Sequence, residues 1–415
     1  MRILAVDVGT GTQDILVFDT AGPVENCVKL VMPSATAIAA GRIRRATAAG
    51  QAVVLTGTVQ GGGPCHWALE EHLRAGLAAF ATPEAATTFD DDLTRVTAQG
   101  VTLVSEDEAA RTVGARVELR DLDLAAVRAA LRAFDVEPRF DGFAVGCLDH
   151  GAAPPGYSDR LFRFEHLRRV VEGGNHPSTS LGRSLLAFAC LPHELPEYLT
   201  RARALMRSVD AEAPTVFLDT GPAAALGALQ DPAVAREEEQ LVLNLGNMHA
   251  LAFHLRGTRI VSLFEHHTGE MTNAQIEDFT ARLLSRQLRH EEVFGSKGHG
   301  VFYAAGTGKE ANEQTGTSSA RPEALEEPAL SLPKGRGVEG MTSPRGSTGS
   351  PRADDLPFIA VTGPQRNRLR KSRLRPYFAA PHGDMMLSGC FGMVAAFAYR
   401  FPQHAGEIER TLAGD

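Results

Sequence analysis

The sequence predicts an α/β protein with two similar halves. Residues 3–8 and 15–19 are apolar, β-branched runs on either side of a polar turn, which predicts an antiparallel hairpin at the start of the chain. Helix-like and strand-like patterns then alternate up to a buried strand at residues 141–148, as in α/β folds. Residues 241–245 and 249–255 flank a second polar turn, so the second half is expected to begin as the first does.

Composition and charge exclude several classes of protein. The 415 residues are 43% hydrophobic, enough to bury two or three domain cores, and the net charge of −8 argues against a general nucleic-acid binder. The five cysteines are scattered far apart, which predicts reduced cytosolic thiols and supplies no zinc or iron–sulfur spacing. Asp7 interrupts the N-terminal apolar run, and no apolar run of about 18 residues occurs. We therefore expect a cytoplasmic protein without membrane or nucleic-acid partners.

The first polar turn has the composition of a metal and phosphate site. Asp7 lies near the end of a strand and is followed by Gly9, Thr10, Gly11 and Thr12. A carboxylate can hold a metal ion, and glycines let backbone N–H groups approach an anion. A carboxylate inside an apolar strand costs several kcal/mol unless it is satisfied. We therefore favour a functional role for Asp7 over a structural hydrogen bond to the threonines.

The elements between the two hairpins are predicted from periodicity and capping residues. A third strand at residues 28–32 is followed by Ser34, which can cap an Ala-rich helix. For the glycines at 61–63 we favour a flexible turn over a phosphate-binding loop, because no Lys-Ser/Thr pair follows them as in a P-loop. Further strands are expected at residues 52–55, 101–104, 215–218 and 260–264, and further helices at residues 122–134, 180–189, 194–209 and 273–290.

The last part of the chain contains a predicted insertion. Residues 306–354 have no aromatic residue, isoleucine or cysteine and many Gly, Pro, Ser and Thr residues, which predicts disorder. A strand beginning at Phe358 then leads to Gly363, Pro364 and Arg366. Arg366 is expected either to lie in a solvated loop or to contact a phosphate or acidic substrate.

Several strands end in polar tips that contain histidine. If the two halves face each other, these tips would meet in one cleft, where substrate or nucleotide contacts are favoured over a transition-metal site. His266 and His267 are adjacent on an extended chain and point to opposite sides, so both are not expected to bind one metal. The candidate cleft residues are Asp149, His150, His249, His266, His267, His382 and Asp384.

The order of these features resembles the actin-like ATPase superfamily, which includes sugar kinases, heat-shock chaperones and actin. Residues 7–12 (DVGTGT) resemble its first phosphate motif, residues 244–247 (NLGN) its second, and residues 361–364 (VTGP) its adenosine motif. Residues 221–226 and 384–396 resemble its two connecting helices.

This resemblance implies a two-lobed, ribonuclease H-like fold in which each lobe is a mixed sheet flanked by helices. The implied lobes are residues 1–216 and 217–383, with residues 384–415 returning as helices to the hinge and first lobe. It also implies a cleft that binds ATP and Mg²⁺. Asp7 would hold Mg²⁺, and the residues expected to bind the nucleotide are Gly9, Thr10, Gly11, Thr12, Gly246, Asn247, Gly363, Pro364 and Arg366.

One position departs from the superfamily pattern. The second phosphate motif normally opens with an aspartate that assists magnesium or the attacking water, and here the residue is Asn244. An amide can orient water but is no base at neutral pH. Either Asp219, Glu265 or a nearby histidine acts as the base, or hydrolysis is slow and the protein senses nucleotide. The candidate catalytic residues are therefore Asp7, Asn244, Asp219 and Glu265.

A more specific resemblance is to a family labelled pyruvate formate-lyase activating enzyme. It rests on the motifs TGTxxGGGP, DHG, NxGNxH, EHHTG, VTGP and HGDMMLSGCFG. A radical activating enzyme needs three closely spaced cysteines for its iron–sulfur cluster, and this chain has no such group. A radical mechanism is therefore not expected.

Three functions stay open on the sequence alone. The first is an ATP hydrolase or phosphotransferase that acts on a small substrate between the lobes. The second is a nucleotide-sensing activator of a partner enzyme with little turnover. The third is a metal-dependent enzyme that uses the histidine tips.

Overall fold

Three β-sheets organise the residues that the computed structural model describes, 1–173, 183–305 and 356–414. The predicted insertion at residues 306–354 lies outside the described residues. In chain order the strands are β1 (Arg2–Val8), β2 (Thr12–Asp19), β3 (Val28–Pro33), β4 (Val53–Gly57), β5 (Ala79–Ala81), β6 (Val101–Leu103), β7 (Ala115–Leu119), β8 (Gly142–Cys147), β9 (Thr215–Phe217), β10 (Glu239–Leu245), β11 (His249–Arg256), β12 (Arg259–His267), β13 (Gly300–Tyr303), β14 (Phe358–Thr362) and β15 (Tyr377–Phe378).

The N-terminal sheet has the strand order β3-β2-β1-β8-β9. Strands β1, β2 and β3 are antiparallel, as the sequence predicts, while β8 and β9 extend the sheet in parallel from β1. Apolar clusters cover both faces, so every residue of β1 after Arg2 is buried. The register places Asp7 directly opposite Asp14.

The C-terminal sheet repeats this arrangement. Its order is β13-β12-β11-β10-β14-β15, in which β10, β11 and β12 are antiparallel and β14 and β15 extend the sheet in parallel from β10. Strand β13 is an additional edge strand. Because five strands have the same order and directions in both sheets, the chain has the two-lobed actin-like fold that the sequence predicts.

A third sheet lies in the chain between β3 and β8, and the sequence did not reveal it as a separate unit. Its order is β6-β5-β4-β7, with all strands parallel. It has its own apolar cluster, which includes Ile43, Leu55 and Leu69. Strands β4 and β6 correspond to predicted strands, whereas β5 has three residues, too few for periodicity to separate it from a loop.

Helices cover these sheets and join the lobes. The α-helices of the described residues are α1 (Ala35–Ala48), α2 (Pro64–Arg74), α3 (Pro83–Ala86), α4 (Leu93–Ala98), α5 (Glu106–Arg111), α6 (Leu124–Arg132), α7 (Asp159–Val171), α8 (Thr200–Met206), α9 (Thr220–Ala228), α10 (Pro232–Ala235), α11 (Asn273–Leu284), α12 (His290–Gly295), α13 (Ser388–Arg400) and α14 (Pro402–Ala413). None of these helices combines the length and apolar character needed to cross a bilayer.

Helices α9 and α13, which resemble the connecting helices, cross in direct backbone contact. A Cβ atom on Gly227 would lie 1.7 Å from the Ser388 carbonyl oxygen, and one on Gly392 would lie 2.0 Å from that of Ala223. A side chain at either glycine would separate the two helices. These small residues therefore set the distance between α9 and α13 where the two helices cross.

Two helix predictions were wrong in part. Residues Leu185–Phe188 and Pro192–Glu194 form short 3₁₀ turns, and α8 begins only at Thr200. Pro192 and Pro196 lack the N–H donors that a continuous helix needs, so helix formation is delayed until after them. Residues 180–182, the start of the helix predicted at residues 180–189, lie outside the described residues.

Candidate functional site

The first hairpins of the two lobes meet around a cavity of about 100 Å³, here called the tip cavity. The tips touch, since a Cβ on Gly11 would lie 2.1 Å from Asn247 Nδ2. The N-terminal ends of α9 and α13 form another wall of the cavity. Most of the residues that the sequence predicts for the nucleotide site line the tip cavity. They are Asp7, Gly9, Thr10, Thr12, Asn244, Gly246, Asn247, Gly363 and Pro364.

Two carboxylates face each other in the tip cavity. Asp7 and Asp14 are opposite residues of the β1–β2 hairpin, and each is less than a tenth exposed. Thr220 Oγ1 donates a hydrogen bond of 2.9 Å to Asp7 Oδ1, whereas Asp14 Oδ1 is buried without a hydrogen-bond partner. Like charges directly opposite on a strand pair are destabilising, so this pair suits a bound cation. The sequence pointed to Asp7, while the role of Asp14 follows only from the strand register.

The same pair has strongly shifted pKa values. Burial, and then the charge of Asp14, raises the pKa of Asp7 to about 8. Burial also raises the pKa of Asp14 to about 7, with a hydrogen bond from Thr12 opposing it and nearby Asp384 adding to it. In the absence of a cation, the two carboxylates therefore keep their protons up to a much higher pH than ordinary aspartates do.

These pKa values predict that the metal-free protein loses stability as the pH rises from about 5 to 8. The folded protein holds the protons more tightly than the unfolded chain, whose aspartates titrate near pH 4, so protonation stabilises the fold at the lower pH. We expect Tm in a chelating buffer to fall by about 3 °C or more across this range. Asp7→Asn should flatten the pH dependence, and a Tm of wild type that is constant or rises would contradict the shifts.

The second tip places Asn244 as the counterpart of Asp7. Asp7 and Asn244 are each the second-last residue of the first strand of their sheet, and both line the tip cavity. Asn244 is mostly buried, beside Thr362 on the parallel strand β14. The amide thus lies across the cavity from the carboxylate pair, where it can orient a polar ligand or water.

Arg366 does not contribute to this surface. Its guanidinium Nη1 donates to the Gly363 carbonyl oxygen at 3.4 Å, and the side chain lies outside the lining of the tip cavity. Arg366 begins the 3₁₀ turn Arg366–Leu369. A phosphate contact from Arg366 stays a prediction.

Asp219 and Glu265 are held in a buried ion triad instead of lying open to the cavity. Arg163 of α7 is fully buried, and its Nη1 and Nη2 donate to Asp219 at 2.5 and 2.9 Å. Its Nε donates to the Glu265 carboxylate at 3.3–3.4 Å. Neither acid lines the tip cavity, and Asp219 also caps α9 through the Gly221 N–H. Both acids are already paired with Arg163, which argues against either of them as the base, and their catalytic role stays a prediction.

Three histidines that are distant in the chain converge beside the tip cavity. His150 Nε2 lies 3.1 Å from His249 Nε2 and 3.4 Å from His299 Nε2. We call His150, His249 and His299 the histidine cluster. Burial lowers the pKa of His150 to about 3 and also lowers those of His249 and His299, so the three rings are neutral at pH 7.

The histidine cluster borders a second cavity of about 310 Å³, here called the outer cavity. His150, His249 and His267 line it together with the glycine turn at 61–63. Thr10, Leu148, Arg201, Met248 and His249 line both cavities, so the two are continuous. The sequence named His150, His249 and His267, but it did not select His299. His299 precedes the short edge strand β13, and no motif marks it.

The other predicted cleft residues have mainly structural partners. Asp149 lines the outer cavity, but its carboxylate accepts hydrogen bonds from the N–H groups of Gly151 and Ala202. His266 points away from His267, as predicted, and its Nε2 meets Ser296 Oγ. His382 lies against the ring of Phe391, and Asp384 accepts a hydrogen bond from the Met386 N–H. His266, His382 and Asp384 line neither cavity, and their place at the cleft stays a prediction.

The duplicated sheets and the cleft between their first hairpins place this chain in the actin-like class of two-lobed proteins. Within that class, it belongs to the family described as "Putative pyruvate format-lyase activating enzyme (DUF1786)", whose model matches residues 60–321. No curated protein matches the chain significantly.

Two solved structures are similar to the chain at low identity. The ROK hexokinase of Thermus thermophilus is 14% identical, with 63% of this chain and 48% of that chain covered and a TM-score of 0.23. A "putative N-acetylmannosamine kinase" of Listeria monocytogenes is 9% identical, with 96% and 99% covered and a TM-score of 0.32. The chain therefore spans about half the length of the hexokinase that it matches.

Proposed function

We propose that this protein binds ATP and Mg²⁺ between its lobes and hydrolyses the ATP or transfers its phosphoryl group to a small substrate. The observation that carries the proposal is the pair of Asp7 and Asp14, buried opposite each other where two glycine-containing tips meet. A cation at this pair would relieve the repulsion between the carboxylates and occupy the free Asp14 Oδ1. The donor set, carboxylate oxygens beside a phosphate-sized turn, is the kind that Mg²⁺ prefers.

Each tip has a distinct part in this proposal. The N–H groups of residues 9–12 and of Gly246 and Asn247 would hold the phosphates, and Gly363 and Pro364 would lie beside the adenosine. Mg²⁺ held by Asp7 and Asp14 would neutralise phosphate charge. Phosphoryl transfer depends mainly on positioning and charge stabilisation, so a closed site between two lobes suits it.

Nucleotide binding in this geometry requires the lobes to part. The tip cavity of about 100 Å³ is smaller than the roughly 300 Å³ at the lower end of ligand pockets. The contact between Gly11 and Asn247 joins the two tips beside it. Rotation at the α9–α13 crossing would separate the tips, and binding would then be coupled to lobe movement.

A thermal-shift experiment with ATP, with and without Mg²⁺, tests the proposal. Ligand at about 100 times its Kd stabilises the folded state by about 2.7 kcal/mol, so wild type should show a clear rise in Tm only when both are present. Asp7→Asn keeps the side-chain shape but removes the charge, and we expect it to lose most of that rise.

Asp107→Asn is the matched control, because Asp107 is exposed in the first turn of α5, remote from the cleft. This variant should respond to ATP and Mg²⁺ as wild type does. No rise in wild type at millimolar ATP, or an equal rise in Asp7→Asn, would refute the assignment of the site.

Asn244 supports a second candidate, a nucleotide-sensing activator of a partner enzyme. Asp219 and Glu265 are paired with Arg163. Among the described residues that line the tip cavity beside the second tip, none is a carboxylate that could act as a base. Slow turnover together with tight binding would favour this function over catalysis. Comparison of ATP turnover with ATP affinity separates the two.

Neither candidate uses radical chemistry. The five cysteines all lie within the described residues and are free thiols on separate elements. The described residues bring together one group of three potential metal ligands, and it contains histidines only. An ATP-dependent role and reduced cysteines fit the cytoplasm, where we expect the protein to act.

A further inference from the structure

We propose that His150, His249 and His299 form a binding site for one Zn²⁺ ion or a chemically similar transition-metal ion, separate from the carboxylate site for Mg²⁺. The distances between the nitrogens carry the proposal. With Zn–N bonds of about 2.0–2.1 Å, two ligands of a tetrahedral site lie about 3.3 Å apart. The observed Nε2–Nε2 distances from His150 are 3.1 and 3.4 Å, and all three ligand atoms lie within 4.8 Å of one another.

Hydrogen bonding alone does not account for this arrangement. A neutral imidazole nitrogen has either one proton or one lone pair. His150 Nε2 faces two other ring nitrogens at short distance, so it can form a good hydrogen bond with only one of them. A metal ion at the centre would satisfy three lone pairs together.

The ligands lie at or near the ends of strands. His150 follows β8, His249 begins β11, and His299 precedes β13, with its backbone N–H donating to the Glu265 carbonyl oxygen at 2.9 Å. His150 comes from the N-terminal lobe and the other two ligands from the C-terminal lobe. A metal ion bound here would link the two lobes in the closed arrangement.

A fourth ligand could reach the metal ion from the outer cavity, and His267 lies close to the cluster. The outer cavity lies on the side of His150 and His249, so a water molecule or an oxygen atom of a substrate could complete the site from there. The His267 ring centroid lies 4.7 Å from that of His299 and 4.9 Å from that of His249. Its Nδ1 lies 3.0 Å from the Lys297 carbonyl oxygen, which leaves Nε2 as the acceptor nitrogen.

Buried groups of both charges lie near the histidine cluster. Arg163 Nη1 donates to the carbonyl oxygen of Asp149, the residue before His150, and Arg201 pairs with Asp121. The buried acids of this network, Asp121, Asp149, Asp219 and Glu265, outnumber its two arginines, Arg163 and Arg201. Neutral imidazoles select late first-row metals, whereas Mg²⁺ prefers the oxygen ligands of Asp7 and Asp14.

Metal titration of the whole chain tests the proposal. The purified protein is stripped with a chelator, titrated calorimetrically with Zn²⁺ alone, and analysed for bound metal after dialysis. We expect one Zn²⁺ per chain, retained in the presence of millimolar Mg²⁺. His299→Gln and His150→Gln should each weaken Zn²⁺ binding by at least about 100-fold, because even the loss of an outer partner of a ligand costs 10- to 100-fold.

His382→Gln is the matched control, because His382 also occupies a polar turn but contacts Phe391 away from the cluster. It should bind Zn²⁺ as wild type does. Near-UV circular dichroism of the stripped proteins shows whether each variant is folded, and His150→Gln serves if the fully buried His299 does not tolerate replacement. Wild type that retains less than one Zn²⁺ per five chains, or cluster variants that bind as the control does, would overturn the proposal. The Zn²⁺ titration contains no nucleotide, so its failure can be told apart from a failure of the nucleotide experiment.

Discussion

Replacement of Arg163 by methionine is expected to lower the free energy of unfolding by about 3–5 kcal/mol, the largest effect on stability that we predict. Arg163 is fully buried and donates to both Asp219 and Glu265. Methionine fills similar space but leaves two buried acids without their counter-charge. Chemical denaturation followed by circular dichroism measures the change.

Arg168→Met is the control for this prediction, because Arg168 lies on the same helix in an exposed pair with Glu172. That pair should contribute less than about 1 kcal/mol. The double variant Arg163→Met/Glu265→Gln should lose less than the sum of the single variants, since the glutamine removes the uncompensated charge. If Arg163→Met costs no more than Arg168→Met, the triad does not support the fold.

The sequence was sufficient for the parts of the structure that depend on local pattern. Two apolar, β-branched runs and the polar turn at Gly9 and Gly11 define a hairpin without any distant contact. The echo of that pattern near Asn244 indicated the second lobe, and its order of strands is confirmed. Two similar hairpins that face each other then bring their tips together, which is why most of the predicted nucleotide-binding residues share one cavity.

Long-range pairing explains what the sequence did not reveal. Arg163 lies in a segment that is rich in charged residues, and nothing local distinguishes it from the exposed arginines of α7. Its partners are 56 and 102 residues away in the chain. His299 likewise acquires its place from the pairing of β12 with β13, which positions it beside His150 and His249.

Asn244→Asp is expected to raise the rate of ATP hydrolysis by about 10²-fold or more, the largest functional effect that we predict. General-base catalysis contributes about 10²- to 10⁴-fold, and a carboxylate here would restore the residue type found in the superfamily motif. Asn244 lines the tip cavity opposite Asp7, and aspartate has nearly the same shape, so the change should preserve the packing. Phosphate release under steady-state conditions, at saturating ATP and Mg²⁺, measures the gain.

Asn247→Asp is the matched control, because Asn247 also lines the tip cavity but lies at the exposed end of the same turn. It adds the same charge at the phosphate-binding end of the motif and not at its first position, so it should not raise the rate. A third buried acid near Asp7 and Asp14 also predicts that the gain increases with pH, as the new carboxylate loses its proton. Equal rates for Asn244→Asp and wild type, with ATP still bound, would mean that the amide does not limit turnover. A gain shared by both variants would show that added negative charge, and not a base at position 244, accelerates the reaction.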